Sequence, residues 1–108
     1  MADFAVTQAQ DGRVLAVRVG DAISVQLPEN PSTGYSWAFA TVDDALLEVG
    51  SPTYRGESAS VGSGGVKTWT LKARAPGKTR VELKRWRPWE GDRSVVERFA
   101  VTLDIKPR

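Results

Sequence analysis

The chain of 108 residues contains no cysteine, no histidine and a single methionine. Without cysteine there is no disulfide, no thiolate nucleophile, and no zinc or iron–sulfur site built on sulfur. Without histidine there is no ordinary general base and no Ser–His or Cys–His pairing, and the commonest transition-metal ligand is missing. Most enzyme chemistry is thereby excluded, so a non-enzymatic binding protein without metal or cofactor is expected. Long apolar runs are also missing: nothing approaches the roughly 20 residues of a spanning helix. The opening Met-Ala-Asp-Phe has no cationic region followed by an apolar run. Cytoplasmic residence is therefore expected unless an export signal has been removed.

What remains is an ordinary globular balance, 41% hydrophobic and 26% charged. A chain this size buries roughly 60–70% of its unfolded surface, enough for one core without staples. No linker, repeat or low-complexity tract interrupts it, so one domain over residues 1–108 is expected. The net charge of +2 hides an asymmetry. Residues 1–50 carry two basic and seven acidic side chains (−5), and residues 51–108 carry thirteen basic and six acidic (+7). A basic half can serve nucleic acid or an acidic partner, or simply solvate the outer face of a sheet.

The dominant period is two. Leu15-Ala16-Val17-Arg18-Val19, Ile23-Ser24-Val25-Gln26-Leu27 and Tyr35-Ser36-Trp37-Ala38-Phe39 all alternate, as do Trp69 to Ala73, Val81 to Leu83 and Phe99 to Ile105. Such alternation marks strands with one face on a core and the other in water. Strands are expected at about 3–8 with 13–19, then 22–27, 35–41, 46–55, 66–74, 79–86 and 95–105. Asp43 to Leu47, the one weakly helical stretch, is expected to be a turn. Seven or so short strands separated by turn signals suggest a two-sheet antiparallel sandwich. Trp37 and Trp69 fall in phase with apolar neighbours and are assigned to the core.

The connections alternate in length. Gly20-Asp21, Thr41 to Ala45 and Ala75 to Lys78 are tight; Pro28 to Gly34, Gly56 to Gly65 and Arg87 to Arg93 are longer. When successive strands run up and down, every second connection lies at the same end. The three long loops should therefore gather at one end of the sandwich and form a binding surface.

Each long loop has its own chemistry. In Asn30-Pro31-Ser32-Thr33-Gly34-Tyr35, Pro31 fixes its own φ and pushes Asn30 toward an extended conformation. The Asn30 side chain can bond nearby backbone, and Gly34 can take a positive φ, leaving Ser32 and Thr33 at a stiffened tip. Gly62-Ser63-Gly64-Gly65 lets another backbone approach closely; no Lys-Ser/Thr follows, so a phosphate cradle is disfavoured. In Arg87-Pro88-Trp89 a stiffened aromatic lies beyond a strand end, and Trp and Arg are enriched at binding hot spots. The plainer alternatives are a well-made turn, a floppy loop, and a tryptophan folded back as a lid on the core.

These three segments, in this order, resemble the chagasin family of cysteine protease inhibitors. That family carries an Asn-Pro-Thr-Thr-Gly-Tyr-like motif, a Gly-x-Gly-Gly motif and an Arg-Pro-Trp-like motif. Each is weak alone; all three in order, on a chain of this size and strand count, match over nearly the whole sequence. Ser32 departs from the threonine often found there, keeping the hydroxyl and losing a methyl. The resemblance implies an immunoglobulin-like sandwich of about seven to eight strands. It also implies reversible, tight inhibition of papain-like, cathepsin-L-like cysteine proteases by a monomer, with no nucleic acid or membrane involved. The implied protease-binding residues are Asn30, Pro31, Ser32, Thr33, Gly34 and Tyr35, then Gly62, Ser63, Gly64 and Gly65, then Arg87, Pro88 and Trp89. By analogy Ser32 and Thr33 sit nearest the protease's catalytic Cys and His, with the other two loops against the cleft walls.

Two readings compete. In the first, a carbohydrate- or nucleic-acid-binding module stacks rings on Trp86, Trp89 and Tyr54 and contacts phosphates with Lys84, Arg85 and Arg87. In the second, an enzyme relies on carboxylates such as Glu29, Glu57 and Glu90, which no spacing brings into a catalytic pair.

Overall fold

Alternation in the sequence becomes nine strands in the computed structural model, which describes residues 2–56 and 64–108. They are β1 (Asp3–Val6), β2 (Val14–Arg18), β3 (Ala22–Glu29), β4 (Ser36–Thr41), β5 (Leu47–Val49), β6 (Thr53–Gly56), β7 (Gly65–Ala73), β8 (Gly77–Trp86) and β9 (Glu97–Lys106). One sheet runs β1-β3-β7, with β5 and β6 in succession along the far edge of β7; the other runs β2-β9-β8-β4. The inward positions of both sheets meet in one core, including Ile23, Val25, Leu27, Trp69 and Leu71 from the first and Trp37, Val81, Leu83, Phe99 and Val101 from the second. Trp37 and Trp69 are buried as expected, and Phe39 packs edge-on against Trp69 at 5.6 Å.

Three features differ from the alternation pattern. The sheets are mixed: β1 pairs in parallel with β3, and β2 in parallel with β9, so the chain's first two strands line one edge of each sheet. Period two reports which face is buried and carries no information on strand direction. The strand expected at 46–55 is broken at Gly50 to Pro52, where Pro52 has no N–H to give the ladder. Val49 stands opposite Leu71 and Thr53 opposite Thr68, four residues against three, so the break adds one residue and shifts the register. Ala40 is a second irregularity, between Phe39 and Thr41 on β4. The Asp43–Leu47 segment is a turn, closed by the Leu46 and Leu47 amides donating to Asp43 O.

The expected segregation of connections holds. The tight ones share one end, where Gly20 N–H donates to Ala73 O and the Leu46 side chain packs over Gly77. At the other end Glu29 stands opposite Gly65, and Arg87 reaches Thr33. Among the described residues no helix is long and apolar enough to cross a membrane.

Candidate functional site

The β3–β4 connection is a single 3-10 turn, Pro31–Thr33. Asn30 is extended at its start (φ −123°, ψ 102°) and Gly34 closes it in the left-handed region (φ 79°). Asn30 Oδ1 accepts from the Ser32 amide (3.1 Å) and from Ser32 Oγ (2.7 Å). Thr33 Oγ1 donates to Asn30 O (2.9 Å) and accepts from the Tyr35 amide (3.2 Å). Both tip hydroxyls thus stiffen the loop from within while Pro31, Ser32 and Thr33 stay exposed. At the base, Trp37 Nε1 donates to Pro28 O (2.8 Å), and the Trp37 amide to Glu29 Oε1 (2.7 Å).

The β8–β9 connection holds two further 3-10 turns, Pro88–Glu90 and Asp92–Ser94. Its neck is pinched by Ser94, a buried residue whose hydroxyl accepts from the Arg87 amide (2.9 Å) and faces the carbonyls of Arg87 and Gly91. Nothing in the sequence singled out this serine, whose role depends on the loop returning to its own start.

Arg87 turns inward. Its guanidinium lies over the Tyr35 ring at 4.3 Å, donates to Thr33 O (3.2 Å) and pairs with Glu90 (3.2 Å). This side chain joins two loops of the same molecule. Trp89 is 71% exposed, but the edge of its ring lies over Gly34, where an added Cβ would meet it at 2.9 Å. Gly34 is therefore favoured by its positive φ, and a Cβ there would also push the exposed Trp89 ring aside. Trp89 is neither core nor a lid on the core.

The glycine-rich segment is partly in view. Gly62 and Ser63, like Glu57, lie outside the described residues. Gly64 is exposed, and Gly65 is buried as the first residue of β7. A Cβ on Gly65 would stand 2.4 Å from Arg55 O and 2.5 Å from the Tyr54 hydroxyl, so β6 can pair closely only with glycine there.

Beneath the loops the apolar core ends in four charged residues: Glu29, Lys67, Arg85 and Glu97. Each continues the inward phase of its strand, two residues beyond Leu27, Trp69, Leu83 and Phe99 respectively. Glu29 approaches Lys67 (3.8 Å) and Arg85 pairs with Glu97 (3.0 Å). Extending the period-two phase to each strand end would have identified them. The surface readings based on Trp86 and Glu90 fare differently. One face of Trp86 is covered by Lys84 Nζ at 3.6 Å, and Lys84 also pairs with Asp92 (2.9 Å). That bond from Lys84 holds the Asp92 carboxyl below the usual carboxylate range. Glu90 is taken up by Arg87. Among the described residues no cluster of side chains is fit to hold a metal ion.

The model of the chagasin family of peptidase inhibitors, I42, matches residues 16–103. The chain belongs to the chagasin family. It is 34% identical over 103 residues to chagasin of Trypanosoma cruzi, an alignment covering 91% of this chain and 94% of that one. Among solved structures it resembles the cysteine protease inhibitor EhICP2 of Entamoeba histolytica, with a TM-score of 0.89, 28% identity, and coverage of 98% and 97% of the two chains. It also resembles the ICP of Leishmania mexicana, with a TM-score of 0.68, 32% identity and 89% of each chain covered. The family is one of inhibitors, so this chagasin-family chain is a peptidase inhibitor and not an enzyme.

Proposed function

We propose that this chain inhibits papain-like cysteine proteases, acting as one inhibitory domain and one monomer per enzyme. The Pro31–Thr33 turn seats over the reactive Cys–His pair. Gly62 to Gly65 runs along one wall of the cleft by backbone contacts, and Pro88-Trp89 packs on the other. The observation that carries this reading is the shape of the first loop. Its exposed tip is a hydrogen-bonded 3-10 turn, with its hydroxyls engaged internally and its backbone braced by Arg87. Such a turn is not the extended strand that a protease threads for cleavage, so it blocks the cleft without being processed. Because the loop is already ordered, little conformational entropy is lost on docking, and more of the contact energy survives as affinity.

The partner supplies the cysteine and histidine that this chain lacks; the chain supplies shape. EhICP2, 28% identical and described as a cysteine protease inhibitor, supports that choice of protease class. Titrating papain with the folded protein against a fluorogenic peptide tests it. Reversible inhibition competitive with the peptide is expected, and full activity at micromolar protein would overturn the reading.

A further inference from the structure

We propose that the Glu29–Lys67 pair is a positioning element for the 30–35 loop, holding it in its docking shape before a protease arrives. The role rests on the inhibitory reading above.

β4 is an edge strand. In an antiparallel ladder both main-chain groups of a residue point to the same side, alternating along the strand. Trp37 stands opposite Arg85 of β8, and its own N–H and C=O are received by side chains of the other sheet. Glu29 Oε1 accepts the Trp37 amide at 2.7 Å, and Lys67 Nζ donates to Trp37 O at 3.0 Å. Glu29 and Lys67 face each other at 3.8 Å, so the three residues close a ring: Trp37 N–H to Glu29, Glu29 to Lys67, Lys67 to Trp37 C=O. Both side chains are shielded, 8% exposed for Glu29 and 19% for Lys67. Charge-assisted hydrogen bonds in such surroundings are stronger than neutral ones in water.

The placement of the ring gives it a task beyond stability. Glu29 is the last residue before Asn30 and Trp37 the second after Tyr35, so the ring joins the two ends of the inhibitory loop. Glu29 is also the residue opposite Gly65, where the glycine-rich segment enters β7. The Tyr54 hydroxyl on neighbouring β6 lies 3.5 Å from Glu29 O. One half-buried pair thereby sets the exit angle of the first loop and the start of the second. Lysine at 67 cannot be replaced by an apolar residue without leaving the Trp37 carbonyl and the Glu29 charge without their partner.

The test compares Glu29→Ala, Glu29→Gln and Lys67→Met with the wild-type chain in three measurements: inhibition of papain, melting temperature, and amide exchange at Ser32 to Tyr35. Ile105→Val, in the core at the opposite end, serves as the control for lost stability. If loosening leaves about one loop in ten in the docking shape, the apparent inhibition constant rises about tenfold. That rise is expected for Glu29→Ala and Lys67→Met, together with faster exchange in the loop. Glu29→Gln keeps an oxygen for the Trp37 amide and should recover most of the inhibition. Ile105→Val should melt earlier with inhibition and loop exchange unchanged. Wild-type inhibition and exchange in Glu29→Ala would overturn the role, as would weakened inhibition with unchanged loop exchange, which makes Glu29 a direct contact. Absence of inhibition by the wild-type chain would instead overturn the inhibitory reading, while the exchange comparison still decides whether the pair orders the loop.

Discussion

Arg87 and Trp89 lie two residues apart and do opposite things. Arg87 spends its guanidinium on Tyr35, Thr33 and Glu90, and its buried Nε has no hydrogen-bond partner among the described residues. Trp89 offers most of its indole to solvent while its edge rests on Gly34. The sequence marked both as special, because a Pro-stiffened Arg and Trp beyond a strand end are costly without a purpose. It could not say which turns inward, since that depends on a neighbouring loop 54 residues away. Trp89→Ala should weaken inhibition by about 2 kcal/mol or more, as loss of a hot-spot anchor does. Folding stability should change by no more than about 0.5 kcal/mol, as for most exposed positions. Inhibition titrations and thermal melts of one variant preparation check both, and a lowered melting temperature with inhibition intact would return Trp89 to a structural role.

The loops differ in how legible they were. Asn-Pro-x-x-Gly states its turn outright: proline fixes one dihedral, the residue before it is driven extended, and glycine takes the positive φ. The expected gathering of the three long connections needed only strand parity. The neck of the third loop left no such trace, because Ser94 is one serine among many until the fold returns it to Arg87. Ser94→Ala removes the acceptor of a part-buried amide, at a cost of about 1–3 kcal/mol. For a chain this size that lowers the melting temperature by roughly 4–8 °C per kcal/mol. Inhibition should fall as well, because Arg87 then loses the hold on its own backbone. A melting temperature unchanged in Ser94→Ala would show that the pinch contributes nothing.

For the whole molecule, alternation predicts which residues form the core but not the direction of strands or the pairing of the first two. β1 and β2 are held at the end opposite the loops by Asp21, a buried residue whose carboxylate accepts the amides of Ala2 and Arg18, each at 2.9 Å. Those bonds hold its carboxyl below the ordinary value, the Ala2 amide contributing most and the Arg18 amide next. A folded-state pKa that is depressed gives stability that is complete above the unfolded value, about 3.9 for Asp, and is lost as pH falls through the folded value. The melting-temperature advantage of wild type over Asp21→Asn should therefore be constant near neutrality and shrink below about pH 4. An advantage that persists unchanged into strong acid would contradict this role. Because Asp21 is remote from the loops, Asp21→Asn should inhibit normally at neutral pH.

That separation of a stabilising end from an inhibitory end depends on one claim, that the braced 30–35 turn and its flanking loops close the cleft of a papain-like protease. Titration of active papain by the folded wild-type chain, read with a fluorogenic peptide, tests it most directly. Activity should fall in proportion to added protein, reach zero at one equivalent, and return as the peptide is raised. Undiminished activity at micromolar protein, or inhibition insensitive to the peptide, would contradict it.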